Sequence, residues 1–315
     1  MVPNAGYRGA NTLKIALDPF MHSDLSIPET VHMAADLGYE NLELCERPEF
    51  TPEYRRPRAD ADSIGEFRQA LSETGVRLVS LLVSYRWASP NEDERQAAVR
   101  YWKRAIEVCV ELGCETVNSI FDRGPAPQRS NYRAGPEMAE ECEAAFWASM
   151  EELLPIFERE GLPLHLEAHP DDFIEDNFTA VNMVRSIGSR YVKYLYCTPH
   201  TYHLGDDVAE MIHYAAPVLA HVHVADVFNH KIGWRYVVNP AGSTARVHQH
   251  LKIGDGEIDW ALMFQSLSEV GFDGIMTAQV FSYGTDQAVA CSEFMYEKIN
   301  HYVDKYWKGE TGVRQ

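Results

Sequence analysis

The feature that most constrains this chain is an alternation repeated eight times: a short β-rich apolar run, then a longer stretch with helical periodicity. The β-rich runs fall at 14–20, 41–46, 77–85, 115–121, 162–169, 191–197, 219–226 and 274–281. The first helix is predicted from its punctuation, with Ser26 as cap, Pro28 in the first turn and Gly38 as the stop. Further helices are expected at 62–74, 89–113, 138–160, 177–187, 207–216, 258–270 and 286–306. In 89–113 apolar residues recur at three and four positions, which marks one buried face. Eight strand–helix units with no composition break predict an α/β fold, a single (β/α)8 TIM barrel spanning 1–315 as one domain. A doubly wound open sheet is the alternative. It lacks support, because no GxGxxG or GxxxxGK[ST] follows any of the strands.

Composition narrows the partners. With 28 Lys and Arg against 47 Asp and Glu, the formal charge is −19, which repels phosphate backbones and anionic membranes. Nucleic acid and membrane are therefore not expected partners. No apolar run reaches the length of a membrane span and the first residues lack a signal-peptide core, so a cytoplasmic location is expected. The six cysteines are scattered without a CxxC pair, as in a protein whose thiols stay reduced.

Barrels of this kind place their chemistry at the C-terminal ends of the strands. The polar residues at those ends are Asp18 and His22, Glu43 and Glu46, Tyr85 and Trp87, Asn118, Glu167 and His169, Cys197 and His200, His223 and Asp226, and Gln279. Histidine is densest around the seventh strand and the loop after it, with His221, His223, His230, His248 and His250. His221 and His223 share one face of a strand, being two residues apart. His221 and His230 are expected to be structural. Asp18, Glu46 and Asp226 are expected to cap loops or pair at the rim. Glu167 and His223 stand out, because each interrupts an apolar strand where a polar group is costly unless paired or coordinated. One carboxylate with two or three imidazoles suits a divalent transition metal. Residue spacing leaves Mn²⁺, Zn²⁺, Fe²⁺ and Co²⁺ open; Mn²⁺ is the ion expected. A Ser–His–Asp hydrolase is disfavoured by the lack of a GxSxG elbow, and Cys197 as a nucleophile is the weaker option.

These residues resemble the xylose-isomerase-like barrels, the sugar phosphate isomerase/epimerase superfamily that also includes endonuclease IV. Four metal ligands from the ends of strands five to eight in the epimerases fall on Glu167, Cys197, His223 and Gln279. The first and third match; the second and fourth depart from the acidic residues of the pattern. The segment HQHLKIGDG is similar to an endonuclease IV loop and implies His250 as a ligand. The segments SYRWASPNEDERQAAVRYWKRAIE, LEAHPDDF, YCTPHTYH, ADVFNH and RYVVNPAGSTARVHQHL resemble one branch in particular. That branch holds the α subunits of C-glycoside deglycosidases and a myo-inositol-catabolism isomerase-like protein. It implies a metal-dependent lyase acting on 3-keto-C-glycosides, with a small β subunit and a higher oligomer.

The shared chemistry is removal of a proton α to a ketone. The expected metal ligands are Glu167, His223, His250 and Gln279. The acid/base residues are expected to be His169, His200 and Glu43, with Asp226 weaker. Tyr85, Trp87, Asn118, Phe121, Trp234 and His248 are expected to line the substrate site, the aromatic ones because flat apolar faces suit sugar rings and aryl groups. Two other functions stay open: a ketose or keto-inositol isomerase/epimerase, and a non-catalytic barrel that binds a polyol or a partner.

Overall fold

The computed structural model describes residues 13–122, 136–170, 172–205, 207–228, 236–238, 244–246 and 249–309. Eight parallel strands close into a barrel: β1 (Lys14–Leu17), β2 (Asn41–Leu44), β3 (Arg77–Leu82), β4 (Thr116–Ile120), β5 (Leu164–Glu167), β6 (Val192–Cys197), β7 (Leu219–Val224) and β10 (Ile275–Ala278). β10 lies between β1 and β7 and completes the ring. Between β7 and β10 the chain adds a small antiparallel pair, β8 (Tyr236–Val238) and β9 (Thr244–Arg246). The alternation read from the sequence thus yields the predicted barrel. Most predicted strands overrun at their C-terminal ends, because there the chain leaves the ladder and turns toward the mouth.

The helices are α1 (Ile27–Asp36), α2 (Ala61–Thr74), α3 (Glu92–Leu112), α4 (Pro136–Glu160), α5 (Asn177–Ile187), α6 (Thr198–Thr201), α7 (Val208–Ala215), α8 (Trp260–Glu269) and α9 (Thr285–Val303). Local chemistry sets their ends. Ser26 and Glu29 form a reciprocal capping box at α1, while Gly75 and Gly113 end α2 and α3 in the left-handed conformation. α3 starts later than its Ser89-Pro90 signal, since Asn91 caps it and Ser89 instead donates to Glu94. α3 buries Val99, Trp102, Ile106 and Cys109. Among the described residues no helix is long and apolar enough to cross a membrane.

The β7–β10 connection is pinned by Asp226. Its buried carboxylate accepts four hydrogen bonds, from Val227 N, Ile258 N, Gly254 N and the Trp260 indole. Its backbone exchanges both amide bonds with Leu251. A Cβ at Gly256 would come within 2.3 Å of Asp226 Oδ1, so only glycine fits there. This clasp draws the segment carrying His250 back across the mouth.

Candidate metal centre

Alternation along the strands puts every second side chain into the barrel, and the inward set is unusually polar. Glu43 is fully buried and accepts from His223 Nε2 at 2.8 Å, Asn118 Nδ2 at 3.2 Å and Thr277 Oγ1 at 3.0 Å, with His221 Nε2 at 2.9 Å. Burial works against its charge, but His221 and His223 outweigh that and hold the carboxyl far below its usual range. Ser80 in turn donates to Asn118. Beyond His221 stands His165, the two Nδ1 atoms 3.4 Å apart, and burial pushes both rings toward the neutral form. Asp18 is buried beside Glu43, and burial followed by that neighbouring charge lifts its carboxyl to about 7.

Nearer the strand ends, Glu167, Cys197 and His223 converge, their ligand atoms all within 4.8 Å of one another. His223 gives its Nε2 hydrogen to Glu43, which leaves Nδ1 as a lone pair when the ring is neutral. That Nδ1 lies 3.4 Å from Glu167 Oε2, both atoms are buried, and neither has a hydrogen bond. Two acceptor atoms facing each other in this way require a proton or a cation between them.

The pattern repeats beside it. His200 Nδ1 approaches the Ala168 carbonyl at 3.2 Å and Glu167 Oε2 at 3.2 Å. His250 Nδ1 donates to the Gln279 carbonyl at 2.9 Å. A carbonyl only accepts, so in its neutral form each ring would carry its lone pair on Nε2, and those two atoms stand 3.3 Å apart. Cys197, His200 and His250 form a second group of converging ligand atoms. Burial opposes charge on His200, but Cys197 and Glu167 more than offset it and raise the ring to about 10. For His223, burial is likewise overcome by Glu43 and Glu167, and the ring is pushed well up.

The structure brings together Glu167, His223, His200, His250 and Gln279, whose Nε2 is 3.4 Å from His223 Nε2 and whose Oε1 is buried without a hydrogen bond. His169 is half-buried at the rim, its ring 4.5 Å from that of His200. Other expected positions fall elsewhere. Glu43 is surrounded by donors inside the barrel, where with His221 and His223 it forms a further group of converging ligand atoms; Asn118 belongs to the same network. Trp87 and Phe121 are fully buried in an aromatic cluster with Trp102, Phe146 and Phe173, behind the wall they were expected to line. Tyr85 packs edge-on against Trp102 and donates to the Pro52 carbonyl. Glu46 receives Ser84 N and Oγ, a loop-capping role like that of Asp226. Trp234, His230 and His248 lie outside the described residues. His165 and Thr277 were not singled out from sequence. Their signal was the two-residue step back from Glu167 and Gln279, which places them on the same inward faces.

The chain is thus a closed (β/α)8 barrel with carboxylate, imidazole and thiol groups that could hold a metal ion converging at its C-terminal strand ends. The model of the xylose isomerase-like TIM barrels matches residues 31–298, and the chain belongs to that family. Similar solved structures include L-ribulose 3-epimerase, at 16% identity and a TM-score of 0.71 over 96% of this chain and 98% of that one. Another is the IolI protein with a bound zinc atom, at 17% identity and 0.72 over 93% and 99%. The 3-keto-D-glucoside 4-epimerase YcjR from E. coli gives 18% and 0.68 over 91% and 99%. At such identities the likeness is one of fold. No curated protein matches the sequence.

Proposed function

We propose that this chain is a divalent-metal-dependent enzyme acting on keto-sugars, by removal of the proton α to the ketone. The observation that carries the reading is the buried pair of Glu167 Oε2 and His223 Nδ1, 3.4 Å apart without a well-formed hydrogen bond, at the end of the barrel where such folds place their chemistry. Glu167 and His223 would hold the ion, with Gln279 Oε1 and His250 as further donors. When bound, a divalent ion supplies Lewis-acid polarisation of the substrate's ketone.

The rest falls to the chain's own side chains. His169 Nδ1 lies 2.7 Å from the Pro170 carbonyl, which leaves the neutral ring basic at Nε2, the form that takes up a carbon-bound proton. His200 sits between Glu167 and His250 and is placed to pass that proton on or return it. The xylose-isomerase-like neighbours named as sugar epimerases support this substrate class.

The enolate has two fates. Reprotonation gives an epimer or isomer. Expulsion of the C1 substituent of a 3-keto-C-glycoside gives a lyase: the C2–H bond and the C1–aryl bond break, and the aryl carbon takes a proton. One observation favours the lyase. Gln279 stands where the epimerase pattern has a second acid/base carboxylate, and an amide does not exchange that proton. The sequence segments that resemble the deglycosidase α subunits point the same way, and with them a β subunit.

The test is to incubate metal-loaded protein in D₂O with a 3-keto-C-glycoside, a ketose and a free keto-inositol. Deuterium at the α carbon is expected, and release of aglycone identifies the lyase. No exchange with any substrate, together with no bound metal in wild type, would sink the proposal in favour of a polyol-binding barrel. Loss of bound metal in Glu167→Ala and His223→Ala is expected alongside.

A further inference from the structure

We propose that Cys197 is a thiolate ligand of this centre, so that the site takes a zinc-type ion in preference to manganese or magnesium. The inference rests on the metal-centre reading above and concerns the one position whose residue type departs most from the carboxylate pattern. β6 ends at Cys197, which is 2% exposed and lies in register with His223 of β7. Two of the three groups of converging ligand atoms contain it, one with Glu167 and His223 and the other with His200 and His250; the third, Glu43 with His221 and His223, lies in the hydrogen-bonded network deeper in the barrel. Of the two groups at the strand ends, Cys197 is the common member.

Other buried cysteines show the contrast. Cys109 lies in the apolar core cluster, and Cys291 packs into the same core from α9. Cys197 instead has its Sγ within 4.8 Å of ligand atoms of Glu167, His223, His200 and His250. Charge gives a second argument. With Gln279 neutral and the imidazoles neutral, Glu167 and one thiolate supply two negative charges, which balance a divalent cation in a buried site. Without the thiolate the site keeps an uncompensated positive charge. Thiolate and imidazole donors together favour zinc and cobalt, whereas manganese and magnesium favour oxygen.

Cobalt(II) is the probe, because its electronic spectrum reports the ligand type without any assay of activity. Full-length protein freed of metal is titrated with Co²⁺. The expected result is visible d–d absorption together with an intense near-ultraviolet thiolate-to-cobalt charge-transfer band. In Cys197→Ser and Cys197→Asp the charge-transfer band is lost while d–d absorption stays, and in Cys291→Ser both stay. Visible bands without charge transfer in the wild-type protein would overturn the thiolate but leave the metal centre standing. No cobalt bands at all would overturn both. The wild-type spectrum decides the matter even where a Cys197 variant does not fold, and circular dichroism identifies such a variant. Zinc is expected to displace the cobalt, and manganese in equal excess is not; displacement by both would also overturn the preference.

Discussion

Glu43 Oε1 and His223 Nε2 are 2.8 Å apart inside the barrel, and this contact decides which nitrogen of His223 is left for a ligand. The carboxylate accepts the Nε2 hydrogen, so Nδ1 faces Glu167. Glu43 was read from the sequence as an acid/base candidate. Its four donors make it the group that sets a tautomer.

Replacing Glu43 with Gln removes the charge that fixes this tautomer while keeping the size of the side chain. The affinity for zinc is expected to fall by roughly 10–100-fold, the range for loss of a carboxylate behind a ligating imidazole. Titration against a competing chelator measures it. Unchanged affinity in a folded Glu43→Gln protein would remove Glu43 from this role.

Metal binding to the folded state alone adds stability by mass action, about 4 kcal/mol at a thousandfold excess over the dissociation constant. Chelation is therefore expected to lower the melting temperature of the wild-type protein. Glu167→Ala should melt at one temperature with or without zinc. An equal zinc response in that variant would show that the ion binds elsewhere.

Asp226→Ala strands four donors in a buried turn, and a loss on the order of 3 kcal/mol is expected from unsatisfied groups of this kind. Gly256→Ala should destabilise by a different route, forcing a Cβ against Asp226 Oδ1. Denaturant unfolding reads both. A loss below about 1 kcal/mol in each would mean the clasp is not what holds the His250 segment, since that is the scale of one ordinary hydrogen bond.

Trp87→Ala should cost about 3–5 kcal/mol, the usual figure for emptying a buried aromatic site. Since Trp87 packs on Trp102 and Phe146 away from the ligand groups, zinc affinity is expected to stay unchanged. A stable variant with a changed substrate response would restore Trp87 to the site wall.

Asp172 provides the pH prediction. Burial, then the neighbouring Asp122 charge, raises its carboxyl well above the ordinary 3.8. The folded state therefore binds more protons than the unfolded chain in the window that opens above the ordinary carboxylate range. Stability from this group falls as pH rises through that window. Asp172→Asn keeps an acceptor for the Asp122 amide and should be more stable than wild type at neutral pH, the gap closing on acidification. Parallel melting curves across pH would contradict this.

The barrel was legible because its information is local. Periodicity marks each strand and helix, glycine and cap residues mark the ends, and parallel strands separated by helices close in few ways. Glu167 and His223 were legible for a related reason: a polar residue in an apolar strand costs free energy that some partner must offset. The residues misread were those whose role depends on distant neighbours. Nothing near Trp87 in sequence shows that Trp102 and Phe146 enclose it. Nothing near Cys197 shows that Glu167 of β5, His200 of α6, His223 of β7 and His250 of the loop before α8 bring their polar atoms to its thiol.

By itself, then, the sequence determined the strand–helix alternation, the acidic surface and the inward face on which Glu167 and His223 lie. Only the tertiary structure decided that His223 turns Nε2 to Glu43 and Nδ1 to Glu167, that Glu43 sits among donors inside the barrel, and that one cysteine belongs to two groups of converging side chains. Periodicity specifies the face a side chain occupies. Closure of the barrel specifies what it meets there, because hydrogen bonds and coordination depend on distances of a few tenths of an ångström between residues far apart in the chain.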